Sequence, residues 1–254
     1  MNSRLQDRTA LVTGSTDGIG VAIARALAAE GAYVVVSGRN TARGEKVLAA
    51  IAEAGGRATF VRADLADGAS AVRDLADAAH AVAGGPLDIL VNNAAMLITP
   101  APTAEVGEEL IDRALATNVK AAFLLTGLVA PAMAARGSGA VINVGSINGL
   151  FGAAESALYS ATKATIHSLT KSWADEYGPS GVRVNTVAPG PTVTEKVTAS
   201  AAMQERLAPI LARIPSRRPS TPEEVAHAVV FLASDDASNI HGATLSVDGG
   251  RAAI

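Results

Sequence analysis

The chain has no cysteine, and only 3% of its 254 residues are aromatic. Without cysteine there can be no disulfide, no thiolate nucleophile and no cysteine-held zinc. Nor is there a strong excess of charge. Twenty-one basic against 24 acidic side chains leave −3, too little to mark nucleic acid or an anionic membrane as partner. No uninterrupted apolar run reaches the ~18 residues of a spanning helix, and the start, MNSRLQDRTALVTG, lacks the apolar core of a secretory signal. A cytoplasmic protein is the expectation. The four histidines (80, 167, 227, 241) fall in no metal-ligand spacing, so no metal site is expected. There is also no Pro/Gly/Ser linker and no internal repeat.

What is present is a globular composition, 49% apolar and 18% charged. Short β-rich runs alternate with helical patterns. TALVT (9–13), YVVVS (33–37), ATFVRADL (58–65), LDILVNNAA (87–95), AVINVGS (140–146), VRVNTVAP (182–189) and ATLSV (243–247) read as seven strands. Helices are expected after Ile19, at 41–54, before Val82, from Thr103 to Met133, around 159–163, and after the capping box Thr221-Pro222-Glu223-Glu224. The alternation implies one doubly wound α/β domain over 1–254, a parallel sheet of about seven strands with helices on both faces. A long insertion at about 190–220 reads as a substrate cover.

Thr13-Gly14-Ser15-Thr16-Asp17-Gly18-Ile19-Gly20 joins the first strand to the first helix. Glycines there allow a sharp turn and a pyrophosphate close to the helix N-terminus. The spacing is not that of a P-loop, which needs Gly-Lys-Ser/Thr. Arg39 follows the second strand, where a guanidinium can clamp a 2′-phosphate, and no acid follows that strand until Glu45. That favours NADP(H), with NAD(H) still open because the Asp17 carboxylate would repel a phosphate. Tyr159 and Lys163 stand four apart, on one face of a helix. Gly145-Ser146-Ile147-Asn148-Gly149 is no nucleophile elbow, since Val144 stands two before the serine.

These pieces, with Asp64-Leu65, Asn92-Asn93-Ala94-Ala95, Asn118, Pro189-Gly190 and the closing SVDGG (246–250), make a chain that resembles the short-chain dehydrogenase/reductase family along nearly its whole length. The resemblance implies a Rossmann-like fold and hydride transfer between a nicotinamide and a carbonyl or secondary alcohol. It implies catalytic roles for Asn118, Ser146, Tyr159 and Lys163. Tyr159 would be the acid/base, Lys163 its electrostatic partner and a ligand of the nicotinamide ribose, Ser146 a donor to the substrate oxygen. Asn118 would hold a relay water. For the cofactor it implies Gly14, Ser15, Thr16, Asp17, Gly18, Ile19 and Gly20 at the pyrophosphate, Asp64 and Leu65 at the adenine, and Asn92 and Ala94 near the ribose and pyrophosphate. Pro189, Gly190, Thr192 and Thr194 would meet the nicotinamide, threonine standing where the family usually has an aliphatic residue. Met96, Ser146, Asn148, Leu150, Ala154 and Tyr159 would line the substrate pocket. His167 reads as packing.

A free phenol has a pKa of about 10, so work near pH 7 requires roughly 4 kcal/mol of anion stabilisation. One ammonium at ~4.5 Å gives about that much at an effective dielectric of ~20. Lys163 alone is therefore expected to suffice. The apolar residues Val197, Met203, Leu207, Ile210, Leu211 and Ile214 of the insertion fit an apolar lid and ordinary packing equally. Two alternatives stand beside the general carbonyl reductase: a 3-oxoacyl-carrier-protein reductase, and a non-catalytic nucleotide-binding scaffold. The resemblance implies a homo-tetramer, or a dimer, pairing the 103–133 and 159–163 helices.

Overall fold

Each central strand is apolar on both sides, and a computed structural model shows where each side goes. It describes residues 3–194, 198 and 200–254, with all side chains but those of 202, 203 and 206. Seven parallel strands run in the order β3-β2-β1-β4-β5-β6-β7. They are β1 (Thr9–Val12), β2 (Tyr33–Gly38), β3 (Arg57–Arg62), β4 (Ile89–Asn92), β5 (Gly139–Val144), β6 (Val182–Pro189) and β7 (Thr244–Val247). Successive side chains alternate between faces. Ala10, Val12, Val34, Val36, Ile89 and Val91 pack into one core, with residues of α1 (Gly18–Ala29), α2 (Thr41–Glu53) and α8 (Pro222–Ala233). Leu11, Val35, Leu90, Val141 and Val184 pack into the other, with α3 (Ala69–Ala83), α5 (Ala121–Arg136) and α6 (Ala157–Tyr177). Strands buried on both faces need no polar alternation, which is why they read as continuous apolar runs.

The chain reverses direction across the sheet between β1 and β4. In such sheets the crevice at the strand carboxyl ends beside this switch point is the usual ligand position.

Two expected boundaries move. β4 stops at Asn92, not at residue 95, because Asn93 and Ala94 turn their N–H groups onto the Thr13 hydroxyl, each at 3.0 Å. The long helix starts at Glu108 as α4 (Glu108–Leu115), after a 3₁₀ turn at Thr103–Glu105, and a π turn at Ala116–Lys120 joins it to α5. Counted through that turn, Glu108–Arg136 is long and apolar enough to cross a bilayer, against the expectation from uninterrupted runs; 44% of its apolar stretch is buried within the fold.

In the insertion, Thr192 bridges to Ser220, and α7 (Ala201–Leu211) precedes a fully buried Ile214. Leu207, Ile210 and Leu211 are half-buried. Val197 and the Met203 side chain lie outside the described residues. Thr221 and Glu224 form the expected reciprocal cap of α8.

Candidate active site

The glycine turn is built from both sides of the crevice. Gly14 has φ +63°, and a Cβ there would meet the Ala94 Cα at 2.8 Å, so only glycine fits. The Asn93 side-chain amide donates to the carbonyl oxygens of Thr13 (2.9 Å) and Gly14 (3.1 Å). This buttress was not singled out in the sequence. α1 begins without a side-chain cap and without an acid in its first turn, so its N-terminal N–H groups and positive dipole end suit a pyrophosphate. A Cβ at Gly18 would touch the Thr194 Cγ2 at 3.6 Å. The segment after β6 thus passes beside the turn, and Ile19 packs partly buried beneath it.

Two of the expected cofactor residues have side chains committed elsewhere. The Ser15 hydroxyl donates to the Val12 carbonyl (2.7 Å) and accepts from the Ser37 N–H (2.9 Å), tying β1 to β2. The Asn92 amide donates to Thr126 Oγ1 (3.0 Å) and Asn143 Oδ1 (2.9 Å) inside the sheet. The Ser15 hydroxyl and the Asn92 side-chain N–H groups are thus used within the sheet.

On the side of β2 the charges are paired. Arg39 lies 3.7 Å from Asp64, which also caps the 3₁₀ turn starting at Leu65. Arg43, a residue the sequence reading passed over, holds Asp17 at 3.1 Å. The carboxylate expected to repel a phosphate is therefore neutralised from α2. Thr16, Asp17, Arg43 and Thr194 line one end of a cleft of about 900 Å³ that runs between α1, α2 and α8. That cleft borders the glycine turn and does not include Ser146 or Tyr159.

The chemistry-bearing side chains come from β5 and α6. Ser146 follows β5 and is 8% exposed; its hydroxyl accepts from the Asn148 N–H at 3.2 Å. Tyr159 and Lys163 lie on the inner face of α6, with the Lys163 Nζ 5.8 Å from the centre of the Tyr159 ring. Burial drives the Tyr159 phenol above its ordinary pKa, while the Ser146 side chain pulls it down. The expectation that Lys163 alone makes the phenol acidic is thus not met: in the chain by itself, burial dominates. Burial also lowers Lys163, to about 8.

Asn118 is buried in the π turn, but its side chain is spent on Met96, accepting from the N–H (2.6 Å) and donating to the carbonyl (3.2 Å). It also donates to Thr162 Oγ1 (3.3 Å), next to Lys163 on α6, and so ties the segment after β4 to that helix. The π turn is the distinctive feature here, a distortion frequent at functional sites.

Around Ser146 the wall is mixed. Of the residues expected to line it, Met96 is half-buried and Leu150 is 46% exposed. Asn148 donates to Ser156 Oγ at 3.2 Å, holding the loop that carries Ala153 and Ala154, both exposed. The Arg251 guanidinium stacks over Phe151 at 5.1 Å, joining the C-terminal turn to this loop. At the end of β6, Pro189 is buried, Gly190 fits against Asp248, and the Thr192 hydroxyl donates to the Gly190 carbonyl (3.0 Å).

Known proteins resemble this chain in sequence and in fold. Residues 14–252 match the family profile described as enoyl-(acyl carrier protein) reductase. Over the full length of both chains, the sequence is 43% identical to the cis-4-hydroxycyclohexanecarboxylate dehydrogenase of Sinomonas cyclohexanicum. It is 37% identical to the cyclopentanol dehydrogenase of Comamonas testosteroni, over 98% of this chain and 99% of that one. A solved structure from Beutenbergia cavernae, provisionally assigned as an NAD(P)-dependent gluconate 5-dehydrogenase and holding NADP at low occupancy, superposes with a TM-score of 0.93. The two are 41% identical over the whole of each chain. The chain belongs to the short-chain dehydrogenase/reductase family. It is an oxidoreductase acting on CH–OH groups, which sets aside the reading as a non-catalytic scaffold.

Proposed function

We propose that this enzyme oxidises cyclic secondary alcohols to ketones, and reduces the ketones, with NADP(H) as its preferred cofactor. The observation that carries the chemistry is the meeting of Tyr159, Lys163 and Ser146 where β5 ends against α6. When bound, the nicotinamide supplies the hydride chemistry. The protein's part is the proton. Ser146 donates a hydrogen bond to the substrate oxygen, and the Tyr159 oxygen takes the hydroxyl proton as the carbinol carbon loses its hydride and the C=O bond forms. In the reverse direction the same phenol returns that proton. The Lys163 ammonium and the positive charge of an oxidised nicotinamide both favour the phenolate, offsetting burial.

Arg39 and Arg43 support the phosphorylated cofactor, two guanidinium groups where an adenosine 2′-phosphate would lie. Three kinds of relative, named for cyclohexane, cyclohexadiene and cyclopentane alcohols, support a ring-shaped substrate. The exposed Leu150 would offer it apolar contact.

We further infer a cytoplasmic homo-tetramer. It is supported by exposed Phe123 and Leu128 on α5, with the Phe123 ring tilted against the buried Trp173 of α6, centroids 5.8 Å apart. Sedimentation as a monomer at micromolar concentration would refute that assembly. The test of function is a panel of cyclopentanol, cyclohexanol, 4-hydroxycyclohexanecarboxylate, 2-butanol and a 3-oxoacyl thioester, each assayed with both cofactors in the matching redox state. The ring alcohols should turn over best and with NADP⁺. A clear preference for the thioester would replace this reading with a carrier-protein reductase.

A further inference from the structure

We infer that His167 is a positioning residue for Ser146: its unprotonated Nε2 accepts the Ser146 backbone N–H and sets the serine hydroxyl toward Tyr159. The inference rests on the site reading above and adds a residue to it. His167 lies one turn beyond Lys163 on α6 and is 6% exposed. Its Nε2 is 3.4 Å from the Ser146 nitrogen. The two glycines that flank this turn leave room for the ring. A Cβ at Gly145 would collide with the imidazole Nε2, and one at Gly149 would approach its Cε1 to 2.9 Å. The end of β5 and the 3₁₀ turn Ile147–Gly149 are wrapped around the imidazole.

Accepting at Nε2 requires the proton to sit on Nδ1. The Nδ1 atom is buried and has no hydrogen-bond partner among the described residues. A residue present only to fill space would do better as leucine or methionine, which leave no orphaned nitrogen. The one polar contact that sets histidine apart is the one to Ser146. Burial, with the charges of Lys163 and Lys171 on the same helix, holds His167 down at about 4. It therefore stays neutral across the working range. A protonated ring would present a second donor to the Ser146 N–H and release the turn.

Two measurements test this. In full-length protein with ¹⁵N-labelled histidine, the His167 signals, assigned by their loss in His167→Gln, should show a protonated Nδ1, a bare Nε2 and no titration between pH 5 and 9. A proton on Nε2, or titration near the ordinary value of about 6.5, would overturn the proposal. In cyclohexanol oxidation with NADP⁺, His167→Leu should lower kcat about tenfold while leaving the KM for cyclohexanol and the Kd for NADPH within about twofold. His167→Gln, which can still accept, should recover most of the rate. Leu at the parental kcat, or Leu and Gln falling equally together with Tm, would show a packing role only. Tyr159→Phe is measured alongside. If it keeps its turnover, the site reading fails and this inference with it; if it is inactive while His167→Leu matches the parent, the positioning role alone fails.

Discussion

The Lys163 ammonium donates to the carbonyl oxygen of Val144 at 2.8 Å, so the charge opposite Tyr159 is anchored on β5. Holding it there has a cost that varies with pH. Burial lowers Lys163 from 10.5 to about 8. Below about pH 8 both native and unfolded chains carry the proton, and above 10.5 neither does. Between these values the unfolded chain binds the extra proton, so this group makes stability rise as pH rises through the window. Lys163→Met should abolish that rise and make the cofactor-free protein more stable at pH 7 by about 3 kcal/mol. Urea midpoints of parent and variant at pH 7 and 10 decide it; parallel shifts would mean that the ammonium is not desolvated.

Tyr159→Phe should lower turnover of a ring alcohol by about 10²–10⁴-fold, the usual contribution of a positioned acid/base. Binding of NADPH, followed by fluorescence, should stay within about twofold. Because burial raises the phenol, the oxidation rate should climb on the alkaline side as Tyr159 loses its proton, and ketone reduction should fall over the same range. A flat profile in both directions would remove Tyr159 from proton transfer.

The two arginines near the glycine turn form exposed ion pairs, which contribute little to stability. Their substitution should therefore be read in cofactor choice. Arg39→Ala and Arg43→Ala should each weaken NADPH about tenfold and leave NADH within about twofold. Equal weakening of both cofactors would mean that neither side chain meets the 2′-phosphate.

The cap of α8 gives a purely structural prediction. Thr221 Oγ1 accepts from the Glu224 N–H at 3.2 Å, and Glu224 answers at the Thr221 N–H at 2.9 Å. Thr221→Ala should cost about 1 kcal/mol, or roughly 2–4 °C in Tm for a chain of this size, with kcat unchanged. A loss of activity at full stability would mean that α8 shapes the site directly.

The sequence disclosed what is local. Tyr159 and Lys163 are one helical turn apart, the glycines of 14–20 follow a strand, and the α8 cap is a four-residue pattern; each could be read without knowing the fold. The partners that set their properties are distant in sequence. Arg43 reaches back 26 residues to Asp17, Asn118 reaches back 22 to Met96, and Lys163 finds a main-chain carbonyl 19 residues earlier. No composition rule announces such pairs. The π turn at Ala116–Lys120 was equally invisible, because the apolar pattern carries through it unbroken. Tyr159 shows the same limit in energy: its spacing to Lys163 was legible, whereas the burial that raises its pKa belongs to the folded chain.

Below the catalytic end of the sheet, Asn92, Asn143, Thr170 and Thr186 hand hydrogen bonds from one to the next, with Thr126 at the near end, across three strands and two helices. Replacing any one of them with an apolar side chain strands a neighbour's amide or hydroxyl in a dry interior. An engineer reshaping the substrate pocket from beneath must exchange these residues as a set, whereas the exposed Leu150 can be altered by itself.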